Sequence, residues 1–289
     1  MKNDKVPSAL VAVISSLGIF IMIFILYFLT TEGIPVLREI QLKEILAGRA
    51  WYPTETPPSL GMVPLIAGSL AVTLVSSILA LPLSLLVAIF ISDVAPSFLR
   101  DLLKPVLELL GFLPSIVLGF LGMVVLAPWL QERFELLSGL NLLNASVLLG
   151  VMIVPIVASL AEEALSSAPG ELRDASFALG ATRWETIRHV VIPWAKPGIL
   201  SACLLGVMRS LGETMVVRMA AGGAAILPES IFDPVRPLTS TIAAEMGETP
   251  VGSAHYHALF FAGLILFAMT LAINMLSAWI ETKGSVIRS

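Results

Sequence analysis

Apolar residues dominate the chain in six long runs. A helix needs ~20 mostly apolar residues to cross a bilayer, and the runs are Ser8–Thr31, Met62–Ser92, Pro105–Ala127, Leu142–Leu160, Gly198–Val217 and Ala258–Ile280. Every backbone polar group inside a bilayer must be paired within the segment, so the runs predict helices rather than strands. Pro82 marks a kink within the second run, and Pro105 fits the first position of the third helix. The fold class expected is all-α, a polytopic membrane protein with six transmembrane helices.

Polar residues fall between the runs, and their distribution separates the two sides. The first run is too long for a signal-peptide core of ~7–15 residues and lacks a small-residue cleavage pattern, so it reads as a retained helix. With the N-terminus cytoplasmic, ten cations lie inside: Lys2, Lys5, Arg100, Lys104, Arg173, Arg183, Arg188, Lys196, Lys283 and Arg288. Six lie outside: Arg38, Lys43, Arg49, Arg133, Arg218 and Arg236. The bias favours cytoplasmic N- and C-termini, with the periplasm or its equivalent outside. Two outer segments are long. In 32–61, an interfacial helix with Trp51 and Tyr52 at headgroup level and a solvated loop both fit. The segment 218–257 reads as loop with a short helix at Thr239–Met246. Residues 1–61 are thus expected to form a first helix and outer loop, and 62–289 the main transmembrane unit.

Composition agrees with a membrane protein. Of 289 residues, 57% are hydrophobic and 13% charged, about half the usual charged share, and the mean hydropathy is +0.93. The net charge of -4 suggests no nucleic-acid partner. The single cysteine, Cys203, excludes an internal disulfide and a cysteine metal cluster. His255 and His257, two apart on a helix, point in different directions and suit interfacial polar roles better than a metal pair. His189 is expected to meet solvent or a partner. Glu108 fits the first turn of the third helix. Glu162 and Glu163, where the fourth helix surfaces, are expected to be exposed or to face a partner.

The most distinctive polar stretch is the cytoplasmic island 161–197. Pro169 and Gly170 end the fourth helix. Glu171–Leu179 reads as a short helix and Gly180 as its left-handed stop. Thr182 and Glu185 have capping-box spacing, so a second helix starts at Arg183, and Pro193 and Pro197 bracket the return to the membrane. Ala175, Ser176 and Ala178 permit close approach by another protein, and Phe177, Leu179 and Trp184 supply apolar anchors. A plain amphipathic surface helix has the same pattern. The order Asp174-Ala175-Ser176, then Gly180, then Val190 and Pro193, resembles the "EAA" loop of ABC-importer permeases. Asp174 stands for Glu and Ser176 for the second Ala. The resemblance implies a MetI-like permease fold whose coupling helices dock an ATPase, through Asp174, Ala175, Ser176, Phe177, Leu179, Gly180 and Trp184.

One charge pair lies inside a run. Arg209 is ~16 Å from Gly198 at 1.5 Å per helical residue, near mid-membrane, with Glu213 one turn further on the same face. A charge at that depth opposes insertion by roughly 2.5–3.5 kcal/mol, so it faces a cavity or a partner. A self-satisfied pair that pins packing and an oxyanion path that needs a guanidinium fork remain open alternatives.

The string around the pair, R-S-L-G-E-T-M-V-V-R-M-A-A-G-G, is similar to the R-x-x-G-E-T-M segment of PstC-type permeases of phosphate ABC transporters. The patch Leu113-Pro114-Ser115-Ile116-Val117-Leu118-Gly119 is similar to their P-S-x-x-x-G segment, although Ser115 and Gly119 alone mark only tight packing. Arg218 stands where the family often has an apolar residue. The resemblance implies a phosphate path past Arg209, Glu213, Thr214 and Ser115. It also implies a second permease (PstA-type), an ATP-binding subunit dimer (PstB-type) and an external phosphate-binding protein (PstS-type). ATP and Mg would bind those ATPase subunits and not this chain, which lacks a phosphate-cradling G-x-x-x-x-G-K-[ST] and is not expected to be an enzyme. Rival readings are a permease for sulfate, molybdate or another oxyanion, an ion-coupled transporter with Glu213 as a proton site, and a scaffold that reports phosphate status.

Overall fold

The structure is a computed structural model describing residues 5–286, with side chains for Val11 and 14–279. Lys2 and Arg288, and the side chains of Lys5 and Lys283, lie outside the described residues, and with them the cytoplasmic placement expected for these four cations. Among the described residues six helical stretches are long and apolar enough to cross a membrane.

Helix α1 spans Lys5–Gly33. Residues 14–28 are exposed, and only its last turns pack, with Phe28 edge-on to Phe260 at 5.3 Å. A 3-10 turn (Ile34–Arg38) and α2 (Leu42–Ala47) follow. A two-stranded antiparallel ribbon then pairs β1 (Trp51–Tyr52) with β2 (Ser59–Leu60). This segment is packed on the bundle rather than a solvated loop, although Tyr52 is exposed. Val36, Ile45, Trp51, Leu60 and Met62 are buried in one cluster with Leu238, Ala258, Leu259 and Ala262. Trp51 is 2% exposed and donates Nε1 to Glu245 at 3.1 Å, so it anchors protein to protein rather than sitting among headgroups. Glu245 also accepts from Arg236 at 2.6 Å and lies 2.8 Å from His255 Nε2. His257 turns the other way, with Nδ1 2.7 Å from the Glu32 carbonyl.

Helix α3 (Val63–Ile89) contains Pro82 and ends in a π-helical turn, Phe90–Val94. The third run is not one helix. α4 (Ser97–Gly111) carries Pro105 in its interior rather than at its start, so Glu108 is not in a first turn. The chain breaks at Phe112–Pro114, and α5 (Ser115–Leu121) restarts after extended Pro114. The physical reason is Pro114 itself, which lacks an N–H and disfavours helix in the residue before it. A second π-helical turn, Gly122–Leu126, leads into α6 (Ala127–Phe134).

Helix α7 (Leu142–Ser166) is the central post. The Asn141 side chain caps it, accepting from the Asn144 N–H at 2.9 Å. Its far end carries a second correction. Glu162 is 4% exposed and pairs with Lys104 of α4 at 2.8 Å, because α4 lies against α7 and buries that face; Glu163 is exposed. The island then forms α8 (Gly170–Ala178) and α9 (Arg183–Thr186). A π-helical turn, Ile187–Val191, joins α9 to α10 (Ile192–Leu211) without a break. The helical stretch that carries the fifth crossing therefore runs from Arg183 to Leu211, not from Gly198 to Val217, with α9 as its exposed polar end and both prolines within it. The π-helical turn just before Pro193 takes up the disruption of a proline that lacks an N–H. α11 (Met215–Ala220), α12 (Leu238–Glu245) and α13 (Ala254–Val286) complete the chain. The short helix expected at Thr239–Met246 is α12.

α7 packs between α3 and α10 through small residues, as helices in lipid do. A Cβ on Gly206 would lie 2.5 Å from Val157 Cγ2, and one on Gly198 2.7 Å from the Ala164 Cβ. Ser76 of α3 and Ser210 of α10 share a buried hydroxyl bond of 2.7 Å.

Candidate functional site

α10 stops at Leu211 and α11 starts at Met215, so Gly212, Glu213 and Thr214 break the helical path directly after the fifth apolar helix. Arg209 occupies the last turn of α10, three residues past Gly206, which faces Ile153 and Val157 midway along α7. Glu213 lies beyond the helix end, yet its Oε2 is 3.5 Å from Arg209 Nη2. Three bonds fix the break. Glu213 Oε1 accepts from the Met215 N–H at 3.2 Å, Thr239 Oγ1 donates to the Glu213 carbonyl at 2.7 Å, and Ser210 is tied to Ser76. Burial is unequal: the Arg209 side chain is 49% exposed and that of Glu213 is 5%. The carboxylate is held by the frame while the guanidinium is free to reach outward.

The second broken crossing meets the first. A Cβ on Gly119 of α5 would lie 3.0 Å from Met219 Sδ and 3.3 Å from the Met215 carbonyl. This contact brings the Pro114-Ser115 patch against the helix that follows Thr214. Ser115 and Thr214 are both half-buried. Neither forms an ion pair or hydrogen bond with Arg209 or the Glu213 carboxylate; Thr214 Oγ1 reaches only the Gly212 carbonyl, at 3.5 Å. Irregular backbone deep in a helical bundle is tolerated where protein or an aqueous cavity satisfies it, and discontinuous helices commonly frame substrate sites for this reason. A guanidinium fork matches two oxygens of an oxyanion, and a buried carboxylate balances it when no anion is bound. Ser76, Ser210 and Thr239, which brace the break, carry no sequence signal, because hydroxyl residues are common in membrane helices.

At the far end, α8 and α9 form a helix–glycine–helix unit. Gly180 has φ +85, and the space where a Cβ would stand is open, with nothing within 4 Å, so backbone conformation rather than space selects glycine. Thr182 and Glu185 form the expected reciprocal capping box. The backbone N–H and hydroxyl of Thr182 hold the Glu185 carboxyl below its ordinary value. Ser176 is half-buried and bonded to Thr186 at 2.9 Å, tying α8 to α9. Asp174 and Ala175 are exposed, as are Phe177 (47%), Leu179 (90%) and Trp184 (59%).

Six membrane-length helices among the described residues, two of them flanked by backbone breaks and brought together by the α5–α11 contact, with a two-helix unit at one end, fit a membrane-embedded transport subunit. The chain belongs to the family described as binding-protein-dependent transport system inner membrane component, which matches residues 80–283. It is 40% identical over 243 residues to the probable ABC transporter permease protein YqgH of Bacillus subtilis, covering 84% of this chain and 79% of that one. It is 33% identical to the phosphate transport system permease protein PstC of Pasteurella multocida, covering 78% and 76%. It is 30% identical to the probable PstC of Methanocaldococcus jannaschii, covering 90% and 87%. A bacterial ABC transporter that imports the polysaccharide alginate shares the fold at TM-score 0.66 and 15% identity over 98% of both chains. The MetNI methionine ABC transporter does so at 0.61 and 22%, covering 77% and 95%. The MetI-like permease fold and the similarity to PstC-type permeases expected from the motifs are thus borne out. The protein is an ABC importer permease subunit, a family that works with ATPase and substrate-binding partners.

Proposed function

We propose that this permease carries inorganic phosphate across the cytoplasmic membrane, with its N- and C-termini in the cytoplasm. The observation that carries the reading is the Arg209–Glu213 pair at the broken fifth crossing, where a half-exposed guanidinium is backed by a buried carboxylate. Arg209 takes phosphate oxygens in transit, and Glu213 keeps the hold weak enough for release. Phosphate near neutral pH retains a proton and sulfate does not, so Glu213 can accept a hydrogen bond from phosphate and repel sulfate. Ser115 and Thr214 line the same passage. The PstC names among the relatives support phosphate over other oxyanions.

In this reading a PstA-type permease completes the pore and a PstS-type protein delivers phosphate outside. A PstB-type dimer, holding ATP and Mg, grips α8 and α9 through Phe177, Leu179, Trp184 and the residues Asp174–Ser176. The lever's exposed apolar side chains support that docking, since Trp and Phe anchors dominate interfaces. Phosphate uptake by the reconstituted complex, with sulfate and molybdate as competitors, is the test. Arg209→Ala is expected to abolish uptake while the complex assembles normally. Unchanged phosphate uptake by a well-inserted Arg209→Ala, or uptake without the ATPase, would overturn the reading.

A further inference from the structure

The end of the molecule that carries α8 and α9 holds a polar cluster outside the transport path. The π-helical turn that closes α3 presents three carbonyls to arginines from two other helices. Arg100 of α4 donates Nε to Ile91 O at 2.9 Å and Nη2 to Ser92 O at 2.5 Å. Arg183, the first residue of α9, donates to the Asp93 carbonyl. Arg173 of α8 reaches two elements at once, with Nη1 on the Asp93 carboxylate and Nη2 3.1 Å from Leu165 O at the end of α7. The Asp93 side chain is 2% exposed and that of Arg173 is 25%. The groups surround a cavity of about 370 Å³.

Cations at helix C-termini are favourable, and one per helix end suffices for that purpose. This arrangement does more. Arg173 bridges the ends of α3 and α7, which a planar fork can do and a point charge cannot. Arg183 fastens α9, which continues into α10. No residue of α8 is buried, so apolar packing holds that helix only weakly. Apart from the short link after α7, α8 is held by the Ser176–Thr186 hydroxyl pair and by Arg173. A push on α9 passes directly into α10, whereas a push on α8 reaches α3 and α7 through polar ties that converge on Asp93.

We propose that Asp93 is the hub of a clasp that makes α3, α7 and α10 move together when the lever moves. Asp93, Arg173 and Arg183 are then positioning residues for ATP-driven transport, touching neither substrate nor nucleotide. The inference rests on the reading of α8–α9 as the ATPase-docking lever. A buried carboxylate that loses its charge no longer holds a guanidinium tightly, so Asp93→Asn loosens the clasp without changing its shape. Arg173→Lys keeps the charge and loses the bridge. Asp93→Glu keeps both charge and acceptors.

The test is the ratio of phosphate moved to ATP hydrolysed, measured in liposomes with the complete complex, its binding protein and inorganic phosphate. Asp93→Asn and Arg173→Lys are expected to assemble and to retain phosphate-stimulated hydrolysis. Phosphate moved per ATP is expected to fall within the roughly 5–150-fold range typical of coupling between sites, and Asp93→Glu to recover most of it. A wild-type ratio in Asp93→Asn overturns the clasp and leaves the lever intact. So does a parallel fall of hydrolysis and transport in an assembled complex, which marks a merely structural role. If Asp93→Asn fails to assemble, Arg173→Lys decides by the same ratio. An otherwise wild-type complex in which cysteines introduced on α8 never cross-link to the ATPase sinks the lever reading, and the clasp with it.

Discussion

Replacing Glu213 with glutamine isolates the electrostatic part of the proposed path. Glutamine keeps the shape and the Oε1 acceptor that holds the Met215 N–H at 3.2 Å. It removes the charge 3.5 Å from Arg209 Nη2. Two unit charges at that separation interact by ~1 kcal/mol in water-like surroundings and ~5 kcal/mol at an effective dielectric constant of 20. Arg209 is 49% exposed, which places the pair toward the lower figure, at ~1–2 kcal/mol. Once that restraint is gone, Arg209 is expected to hold an oxyanion ~5–30-fold more tightly. The phosphate KM of Glu213→Gln should fall by that factor. The turnover rate should fall too, because release from a tighter site is slower. Uptake in proteoliposomes over a phosphate concentration series separates KM from kcat, and parallel runs with sulfate measure discrimination, which should narrow. An unchanged or raised phosphate KM would refute the argument, since it would mean that Glu213 does not compete with the anion for Arg209.

Two further outcomes concern the lever. Gly180→Ala is expected to destabilise the α8–α9 turn by about 1 kcal/mol or more, because φ +85 strains any side chain although space is open. Faster proteolysis at the turn would report it, and Gly180→Asn should be milder. The Glu185 carboxyl titrates below its ordinary value of 4.5 when folded. Its contribution to the cap is therefore complete above that value and is lost as pH falls through the lower folded one. Amide exchange in α9 should accelerate over that acid window in the native protein and not in Glu185→Gln.

Features set by local chemistry were legible in the sequence. Gly180, Thr182 and Glu185 predicted a left-handed stop and a capping box because turn and cap geometry depend on a few adjacent residues. The six apolar runs were legible because length and composition alone satisfy the membrane requirement. The breaks were not. Phe112–Pro114 and Gly212–Thr214 sit inside the apolar runs, and a hydropathy pattern does not register a helix that stops and restarts within one. The Arg209–Glu213 contact was nevertheless anticipated from helical spacing. It survives the break because Glu213, by accepting the Met215 N–H, replaces a lost backbone bond locally. Glu162 and Trp51 went astray for a different reason. Each is buried by a segment distant in sequence, Lys104 on α4 for one and Glu245 on α12 for the other, and such pairing leaves no trace in periodicity. Asp93 and Arg173 stand 80 positions apart, beyond the reach of any local rule.

The unbroken run from Arg183 to Leu211 spans 29 residues, and ~39 Å separates Arg183 from Arg209 along it. In the proposed lever it is a crank with its handle at α9 and its tip at Arg209. Rocking the handle by about 5° sweeps the tip sideways by ~3 Å, the length of a hydrogen bond. Glu213 lies just past the end of the rod, and its carbonyl is moored to Thr239 on α12. In the proposed path the ion pair thus spans the joint between α10 and α12, and a stroke that shifts one against the other is expected to part the guanidinium from its counter-ion, like the points of a contact breaker, and open it to an anion.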